Sequence, residues 1–501
     1  QIGATVGREF PLAVLEEVSD LTREQVADSL TRLCNLDLLR HAVGADGSMF
    51  YAFRHPLIQE VAYAMQLKAR RTSLHAAVAK AIEHFHHNRL DEYAGLIAYH
   101  FEAAGDVEAA AKYAARGALW IGTTDIGEAL KSWRKVRALL DRQPRSPAND
   151  QLRMLASGQI VSLGWREGMT ADEAAPFAEE ALGLARETRN ASAEMLLLAG
   201  YGRILAASGS ADAYVAHLEQ AYGLSTTGDA SHRTLLQGLF CQAYGLAGKM
   251  REALAASNAA LGGIAQVDRY HEQLLGFNIE RWVQSLRARI LVRIGDYAAG
   301  RRDLERLVAS ESEHPDPAVQ FIPHHGLVEL AWLTSDSALA ATHARRLTEI
   351  ARKSELPYLK VYADACEGLA CSLAGDQATA VAWLKTALEF ARLRRAAVDY
   401  ESDIMAWLAE VHRRSGNLSE AISAARAAMA MARERAARLA ETRALVTLAA
   451  SLSGDAEGEA QQALRDAEAM IAATGAAAYG ALLDPVIAAR QMLTAESAPR
   501  A

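Results

Sequence analysis

The chain has 501 residues, too many for a single hydrophobic core, and only 11 of them are proline among many good helix formers. Its net charge of −8 does not favour a nucleic-acid-binding protein, which normally carries a basic surface. The four cysteines are scattered, and no uncharged apolar run is long enough to cross a membrane. We therefore expect a mostly helical, soluble, cytoplasmic protein without a disulfide framework or a zinc site.

The front region, residues 1–88, combines helices with a short hairpin. Thr22 precedes a helical pattern, and Gln25 follows three residues later, which is a capping-box signal. The predicted elements are helices over residues 12–18 and 22–34, strands over 38–43 and 49–53 around a turn at 44–48, and helices over 55–65 and 68–87. This order of elements indicates a winged-helix domain.

The charges of the front region do not favour DNA binding by that domain. Residues 1–90 contain ten Lys or Arg and ten Asp or Glu, so their net charge is zero. The candidate recognition helix carries Glu24 and Asp28 in its first turns, where DNA phosphates would be repelled. We interpret the winged helix as an internal lever and expect no nucleic-acid partner.

A second region, residues 89–494, repeats at intervals of about forty residues. Eight short turns begin at Gly168, Gly209, Gly248, Gly295, Ser335, Gly375, Gly416 and Gly454. Each turn separates two apolar-periodic segments, which we interpret as an antiparallel helix pair. A period near forty is typical of helical-repeat proteins.

The turns and their flanks predict how the paired helices end and pack. A turn Gly in the left-handed conformation ends the first helix, and the Asp, Asn or Ser beside it caps the next one. Small side chains at fixed offsets from the turns would let the paired helices approach closely. These residues are Ala98, Gly202, Cys241, Ala288, Gly368 and Ala409, then Ala110, Ala253, Gly300, Ala340, Ala380 and Ala421, then Gly117, Ala260, Ala387 and Ala428.

The spacing of these small residues resembles the tetratricopeptide repeat (TPR) over about 400 residues. The period is longer than is usual in that family, and the family's Trp and terminal Pro positions are not kept. The longer helices are similar to the superhelical sensor repeats of signal-transduction ATPases. The resemblance implies an all-α fold, with a right-handed superhelical TPR-like solenoid over residues 89–494 in which each repeat contacts chiefly its neighbours. Residues 495–501 are predicted to form a disordered tail.

The front region resembles the winged-helix end of a STAND-type (signal-transduction AAA-like) ATPase. The resemblance rests on Phe-Arg-His-Pro-Leu-Ile-Gln-Glu-Val-Ala-Tyr at residues 53–63, Arg-Arg at 70–71, Leu-His at 74–75 and Val-Gly-Arg-Glu-Phe at 6–10. It is closest to bacterial class III adenylate cyclase proteins built from cyclase, ATPase and TPR regions. It implies ATPase and cyclase domains upstream, with ATP or ADP and Mg²⁺ bound there and no cofactor in this chain.

The same resemblance implies a role for His55. In the wider family, the His of a Met-His-Asp motif contacts the β-phosphate of bound ADP and holds the resting state. His55 occupies that place, with Arg54 and Pro56 where the family has Met and Asp. His55 is therefore predicted to sense nucleotide in the intact protein. The alternative is a structural residue at a helix start, bonded to the neighbouring hairpin.

Two other groups of histidines are predicted to be structural. His84 and His87 could share a helix face near His86, but a third ligand is not evident, so we expect a solvated helix end and no metal site. His324 and His325 are adjacent and therefore point apart, which indicates packing in the core or in a groove.

The sequence contains no motif that indicates catalysis. It lacks a phosphate-binding GxxxxGK loop followed by Ser or Thr, an HExxH motif and a GxSxG motif. We therefore predict no catalytic residues and no enzymatic activity for this chain. ATPase and cyclase activity are expected only of the upstream domains.

Three hypotheses about function follow. In the first, the solenoid binds a protein or a small effector in its concave groove, and the winged helix relays binding to the upstream ATPase. In the second, the chain is the effector-sensing part of a large ATP-binding transcriptional regulator. The final residues do not encode a basic helix-turn-helix, which favours the first hypothesis. In the third, the chain is a plain interaction scaffold.

The residues that line the groove are not identified by the sequence. Candidate side chains, any of which could instead pack in the core, are Trp282, Arg287, Trp332, Tyr362 and Trp407.

Overall fold

The computed structural model describes residues 1–44, 47–122, 124–225, 230–268, 278–313, 316–452 and 456–496. The chain divides into two compact units, Gln1–Ile160 and Val161–Ala501. Across the described residues, the regular secondary structure is helical apart from one three-stranded sheet, which confirms the predicted all-α class. The predicted disordered tail begins too early at residue 495, because residues 495–496 still belong to the last helix; residues 497–501 lie outside the described residues.

The first unit begins with a small mixed region and continues as helices. Its elements are α1 (Ile2–Val6), β1 (Glu9–Pro11), α2 (Leu12–Glu17), α3 (Arg23–Asn35), β2 (Leu39–Val43), β3 (Met49–Phe53), α4 (Pro56–Ala64), α5 (Lys68–Phe85), α6 (Leu90–Ala103), α7 (Val107–Ile121), α8 (Ile126–Leu140) and the start of α9 (Pro147–Gly164).

The capping box and the hairpin strands predicted for the front region are present in the structure. The Thr22 hydroxyl accepts a hydrogen bond from the Gln25 amide at 3.3 Å, and the Gln25 side chain accepts one from the Thr22 amide at 2.9 Å. The antiparallel sheet has the order β1-β3-β2, and β1 was not predicted because it is short and ends in a proline. Residues 45–46 of the predicted turn are outside the described ranges, and the winged-helix interpretation stays a prediction.

Residues that carry the resemblance contact one another in this unit. Tyr63 on α4 lies with its hydroxyl 2.9 Å from Nε2 of His75 on α5. The other ring nitrogen of His75 lies 2.8 Å from Nδ1 of His100 on α6. Burial lowers the pKa of His100 to about 4, with His75 adding to the effect, so this pair is neutral at pH 7. These contacts tie α4 and α5 to α6.

The second unit consists of helix pairs. After the end of α9 and a 3₁₀ turn at Trp165–Glu167, its helices are α10 (Ala171–Glu187), α11 (Ala191–Ala207), α12 (Ala211–Leu224), α13 (Ala230–Leu246), α14 (Met250–Gly263), α15 (Ile279–Arg293), α16 (Tyr297–Ala309), α17 (Pro317–Thr334), α18 (Ser337–Ser354), α19 (Pro357–Leu373), α20 (Gln377–Arg394), α21 (Glu401–Arg414), α22 (Leu418–Glu434), α23 (Arg438–Ser451), α24 (Glu457–Thr474) and α25 (Gly480–Glu496).

The predicted turn residues end the first helix of each pair in the left-handed conformation. The φ angles are 79° at Gly168, 100° at Gly209, 72° at Gly248, 94° at Gly295, 58° at Ser335, 92° at Gly375 and 78° at Gly416. Glycine is favoured there because a Cβ strains this backbone conformation. The turn predicted at Gly454 lies outside the described residues.

Capping of the second helix depends on the residue beside the turn. Asp296, Asp336 and Asp376 each accept a hydrogen bond from the backbone amide three residues later, at 3.0 to 3.1 Å. In the described structure, Ser210 and Asn417 make no such side-chain cap, so the prediction is right for Asp and wrong for these two residues. The negative charge of an aspartate at a helix N-terminus also interacts favourably with the helix dipole.

The small residues at fixed offsets from the turns are buried, as the sequence predicts. Ala288, Ala380 and Ala421, for example, are each 0% exposed. A Cβ added to Gly368 on α19 would lie 2.9 Å from the Leu384 side chain on α20. The paired helices therefore pack too closely for larger side chains at these positions.

Contacts between the repeats are not confined to neighbours, so the expectation of chiefly neighbouring contacts is incomplete. Arg438 binds Asp212, which precedes it by 226 residues, through two contacts of 3.1 and 2.9 Å. Arg395 binds Glu173, which precedes it by 222 residues, at 3.0 Å. Early and late helix pairs of this unit therefore lie directly against each other.

Candidate functional site

We call the second unit, Val161–Ala501, the repeat unit. The first helices of several of its pairs bury charged side chains. Helix α23 is the strongest case, because Glu441, Arg443 and Thr447 are buried on it together with its apolar residues. On α17, Glu329 and two histidines are buried in the same way. Charged residues are rarely buried unless they are paired. The partners of these side chains therefore determine the chemical character of the interior.

Two arginines on α15 hold one carboxylate on α17. Nε of Arg293 donates to Oε1 of Glu329 at 2.8 Å, and Nη2 of Arg289 donates to Oε2 at 3.0 Å. Burial by itself raises the pKa of Glu329, but the two guanidinium groups outweigh it and hold that pKa far below its usual range. Glu329 is therefore ionised, and one of the two arginine charges is not neutralised by it.

An aromatic cluster lies beside this ion pair. His325 on α17 contacts the Tyr400 hydroxyl through Nε2 at 2.8 Å. The rings of Tyr362 and Tyr400 are 4.1 Å apart, and Trp407 lies 5.3 Å from Tyr400. Burial, followed by the charge of Arg289, lowers the pKa of His325 well below its usual value, so the imidazole is neutral at pH 7.

Among the described residues of this unit, three arginines lie within 4.5 Å of an indole ring and also face a carboxylate. The guanidinium carbon lies 4.2 to 4.5 Å from the indole ring, which is the geometry of a cation–π contact. The three sets are Arg203 on Trp165 with Asp399, Arg414 on Trp332 with Glu410, and Arg443 on Trp407 with Asp403. We call these three sets the Arg–Trp stacks.

A small cavity of about 50 Å³ adjoins two of the Arg–Trp stacks. Trp332, Trp407 and Arg443 line it, together with Arg413 and Glu410. Within the described part of the chain, Nε1 of Trp407 and Nε of Arg443 are buried without a hydrogen-bond partner. The cavity therefore lies among aromatic and charged side chains, two of which carry a buried donor without an acceptor.

The predicted groove candidates pack mainly as core. Trp282, Trp332 and Trp407 are 5%, 4% and 3% exposed, and Tyr362 belongs to the aromatic cluster. Arg287 lies 3.3 Å from Asp303 in an ion pair. Of these five candidates, the structure brings Trp332 and Trp407 to the cavity.

His55 lies at the start of a helix. It is exposed and immediately precedes α4, directly after the hairpin. Among the described residues, its side chain forms no hydrogen bond that caps α4. Its role in nucleotide sensing stays a prediction.

The other predicted histidines fall into two environments. His86 stacks on Tyr93 with ring centroids 3.7 Å apart, whereas His84 and His87 are exposed. His324 contacts His343 and Glu311, each at 2.8 Å, while His325 contacts Tyr400 instead. His324 and His325 therefore point apart and pack inside the unit, as predicted.

The described residues contain neither a metal-binding cluster nor a membrane-spanning helix. No group of three or more His, Cys, Asp or Glu side chains is arranged there to hold a metal ion. In the same part of the chain, no helix combines the length and the apolar character needed to cross a bilayer.

No family model and no curated protein matches this chain. Solved structures with a similar fold include a Rap protein complexed with competence and sporulation factor, at 12% identity over 75% of this chain and 97% of that one, with a TM-score of 0.41. Another is a STAND protein with a tetratricopeptide repeat sensor from Pyrococcus horikoshii, at 12% identity over 97% of this chain, with a TM-score of 0.40. A third is the human IFIT1 dimer with m7Gppp-AAAA, at 13% identity over 77% of this chain and 90% of that one, with a TM-score of 0.39.

At these TM-scores, the likenesses carry no argument about this chain. This chain spans 64% of the length of the STAND protein.

Glu329, Arg289 and Arg293 were not among the candidate residues predicted from the sequence. A signal for them exists, because Glu329 is a single charge within the apolar run at residues 326–333, and the two arginines are four residues apart on one face of a helix. What the sequence does not show is that these helices are adjacent with their charged faces inward.

Proposed function

We propose that this chain is the sensor module of a multidomain signalling ATPase of the STAND type, linked to an adenylate cyclase. The repeat unit binds a protein or a small effector through its polar interior, and the front region relays this to the ATPase domain. The observation that carries the proposal is the buried network of ion pairs and Arg–Trp stacks. Apolar residues of similar volume would often stabilise a fold at least as well, so buried charges support a role in recognition.

The surface of α4 supports the relay. Leu57, Val61 and Met65 are 68%, 50% and 71% exposed, and their spacing of four residues places them on one helix face. An exposed apolar stripe of this kind marks an interaction surface. His55 lies at the start of the same helix, so docking of this stripe on an ATPase domain would bring His55 to that domain.

The test of the proposal is the variant His55→Ala in the full-length protein. A charge-assisted hydrogen bond from His55 to a phosphate of ADP would contribute about 1.5 to 3 kcal/mol to the resting state. Its loss shifts the equilibrium toward the open state by about tenfold to a hundredfold. We expect faster ADP release and a higher basal output, measured as nucleotide retention and cyclic AMP formation.

The matched control is His84→Ala, because His84 is exposed and lies in the same region away from α4. This control should retain ADP as the unmodified protein does. If ADP affinity and basal output of His55→Ala also stay unchanged, His55 has no part in nucleotide sensing and is a structural residue of the helix start.

A further inference from the structure

Early and late helix pairs of the repeat unit contact each other along a regular row. Each early residue in the row faces a residue 226 positions further along the chain, as Asp212 faces Arg438. The facing pairs are Gly168 with Arg394, Gly209 with Arg435, Asp212 with Arg438, and Gly248 with Thr474. A constant interval indicates that the superhelix of repeats completes one turn and then lies against itself.

The close approach belongs to this row and not to the turn glycines in general. A Cβ added to Gly209 would lie 2.9 Å from the Arg435 side chain, and one added to Gly248 would lie 3.0 Å from that of Arg438. Gly375 and Gly416 end their helices in the same left-handed conformation. In the described part of the chain, however, a Cβ added to either of them would have no neighbour within 4 Å.

The contacts along the row are polar and partly solvated. Arg438 donates to both carboxylate oxygens of Asp212, at 3.1 and 2.9 Å, and their side chains are 32% and 46% exposed. Arg395 and Glu173 form a second ion pair at 3.0 Å, with side chains 56% and 47% exposed. Ion pairs this exposed contribute little to stability and are screened by salt. The row is therefore weaker than the seams of buried alanines between neighbouring helices.

This row encloses the polar interior of the repeat unit. Arg203 on α11 lies 3.7 Å from Asp399, and both side chains are almost completely buried between the early and late helix pairs. The cavity beside the Arg–Trp stacks has about 50 Å³, which is room for only a few water molecules. A protein segment would therefore reach this interior only if the early and late pairs separated. Hydration of buried charges such as Arg203 and Asp399 would offset part of the cost of separation.

We propose that the row is a latch, and that the repeat unit opens when its early and late helix pairs separate there. The latch consists of the ion pairs Asp212–Arg438 and Glu173–Arg395 and the turns at Gly209 and Gly248 that lie against the later coil. The closed state withholds the interior, and a protein partner that binds the interior stabilises the open state. The inference rests on the proposed function and deepens it, because opening admits the partner that the repeat unit senses.

The test measures the distance between the two coils in the folded chain. Ala216 on α12 and Ala430 on α22 are exposed and lie on opposite sides of the latch, so each is replaced by Cys and spin-labelled. The two partly exposed cysteines, Cys34 and Cys371, are replaced by Ser, and the remaining two are buried. Pulsed electron paramagnetic resonance gives the distribution of label distances. In about 1 M NaCl, which screens the ion pairs, we expect a longer distance to gain population.

Charge variants separate the latch from a general effect of salt. Asp212→Arg places two positive charges at the latch and should raise the ratio of the longer to the shorter distance about fivefold. The double variant Asp212→Arg/Arg438→Glu restores opposite charges and should return the ratio toward that of the unmodified chain. The matched control is Glu420→Arg, the same change of charge in the exposed first turn of α22, which follows Gly416. This control should leave the distances unchanged.

Three results, each obtained with variants that circular dichroism shows to be folded, would overturn the proposal. The first is one unchanged distance in low salt, in high salt and in Asp212→Arg, which would mean that the helix pairs do not separate. The second is an equal change in Glu420→Arg. The third is a longer distance that persists in the double variant. The measurement involves no ADP, so a failure here is distinguishable from a failure of the proposed function, which is tested by ADP release from His55→Ala.

Discussion

The front region and the repeat unit distribute polarity in opposite ways. Helix α4 exposes Leu57 and Val61, and its C-cap residue Met65 continues the same face, where a surface helix normally carries polar residues. Helices α17 and α23 instead bury Glu329 and Arg443, where a core normally carries apolar residues. Neither arrangement is the one expected of residues that serve stability alone.

These two patterns indicate where each region makes its contacts with other molecules or domains. An exposed apolar stripe gains free energy when another surface covers it, so it suits docking between domains. A buried ion-pair network contributes little net stability but fixes a specific arrangement of helices and offers directional donors. We therefore propose that the front region serves docking and that the repeat interior serves recognition.

The largest decrease in the free energy of unfolding is expected for Glu329→Gln. Loss of this carboxylate leaves Arg289 and Arg293 buried without an ionised partner, which should lower the free energy of unfolding by roughly 3 to 5 kcal/mol. Denaturant unfolding followed by circular dichroism measures the change.

The matched control is Glu459→Gln. Glu459 forms an ion pair with Arg426 at 2.8 Å, but the two side chains are 44% and 55% exposed. Its loss should cost about 0 to 1 kcal/mol. Equal effects of the two substitutions would show that the interior network is no more than a set of surface-like ion pairs.

A smaller decrease in stability is expected for Ala421→Leu. Ala421 is 0% exposed at the start of α22, in the seam of small residues between paired helices. A larger side chain there should overpack the seam and cost about 1 to 3 kcal/mol, seen as a lower melting temperature. An unchanged melting temperature would mean that the seam tolerates volume and that the register of the repeat is wrong.

The smallest effect on stability is expected for Val61→Ser. Half of the Val61 side chain is exposed, so the substitution should change the free energy of unfolding of this chain by about 0.5 kcal/mol or less. A loss comparable to that of Ala421→Leu would show that the α4 stripe is part of a core in this chain and is not a docking surface.

The repeat fold could be predicted because it depends on local rules. A Gly in the left-handed conformation ends a helix whatever surrounds it, and the spacing of Ala288 or Ala380 from that turn follows from helix geometry. The contact of Arg438 with Asp212 could not be predicted in this way, because it depends on how small rotations add up over several repeats.

The candidate site was predicted only in part for the same reason. Trp332 and Trp407 were recognised as groove or core candidates from residue type and helix position. Their stacking with Arg414 and Arg443 joins different helices, and a sequence does not specify which helices of a solenoid bring their charged faces together. Burial of Glu329 likewise depends on that arrangement.

The most direct test of the central claim is the rate of ADP dissociation from the intact protein carrying Ala450→Leu. This variant fills the cavity in the repeat interior and lies far along the chain from His55. If the interior governs the nucleotide state, the rate should change several-fold, whereas Ala338→Leu, which makes the same change at an exposed position of α18, should release ADP as the unmodified protein does. Equal rates in all three folded proteins would contradict the claim that the repeat interior is the sensor.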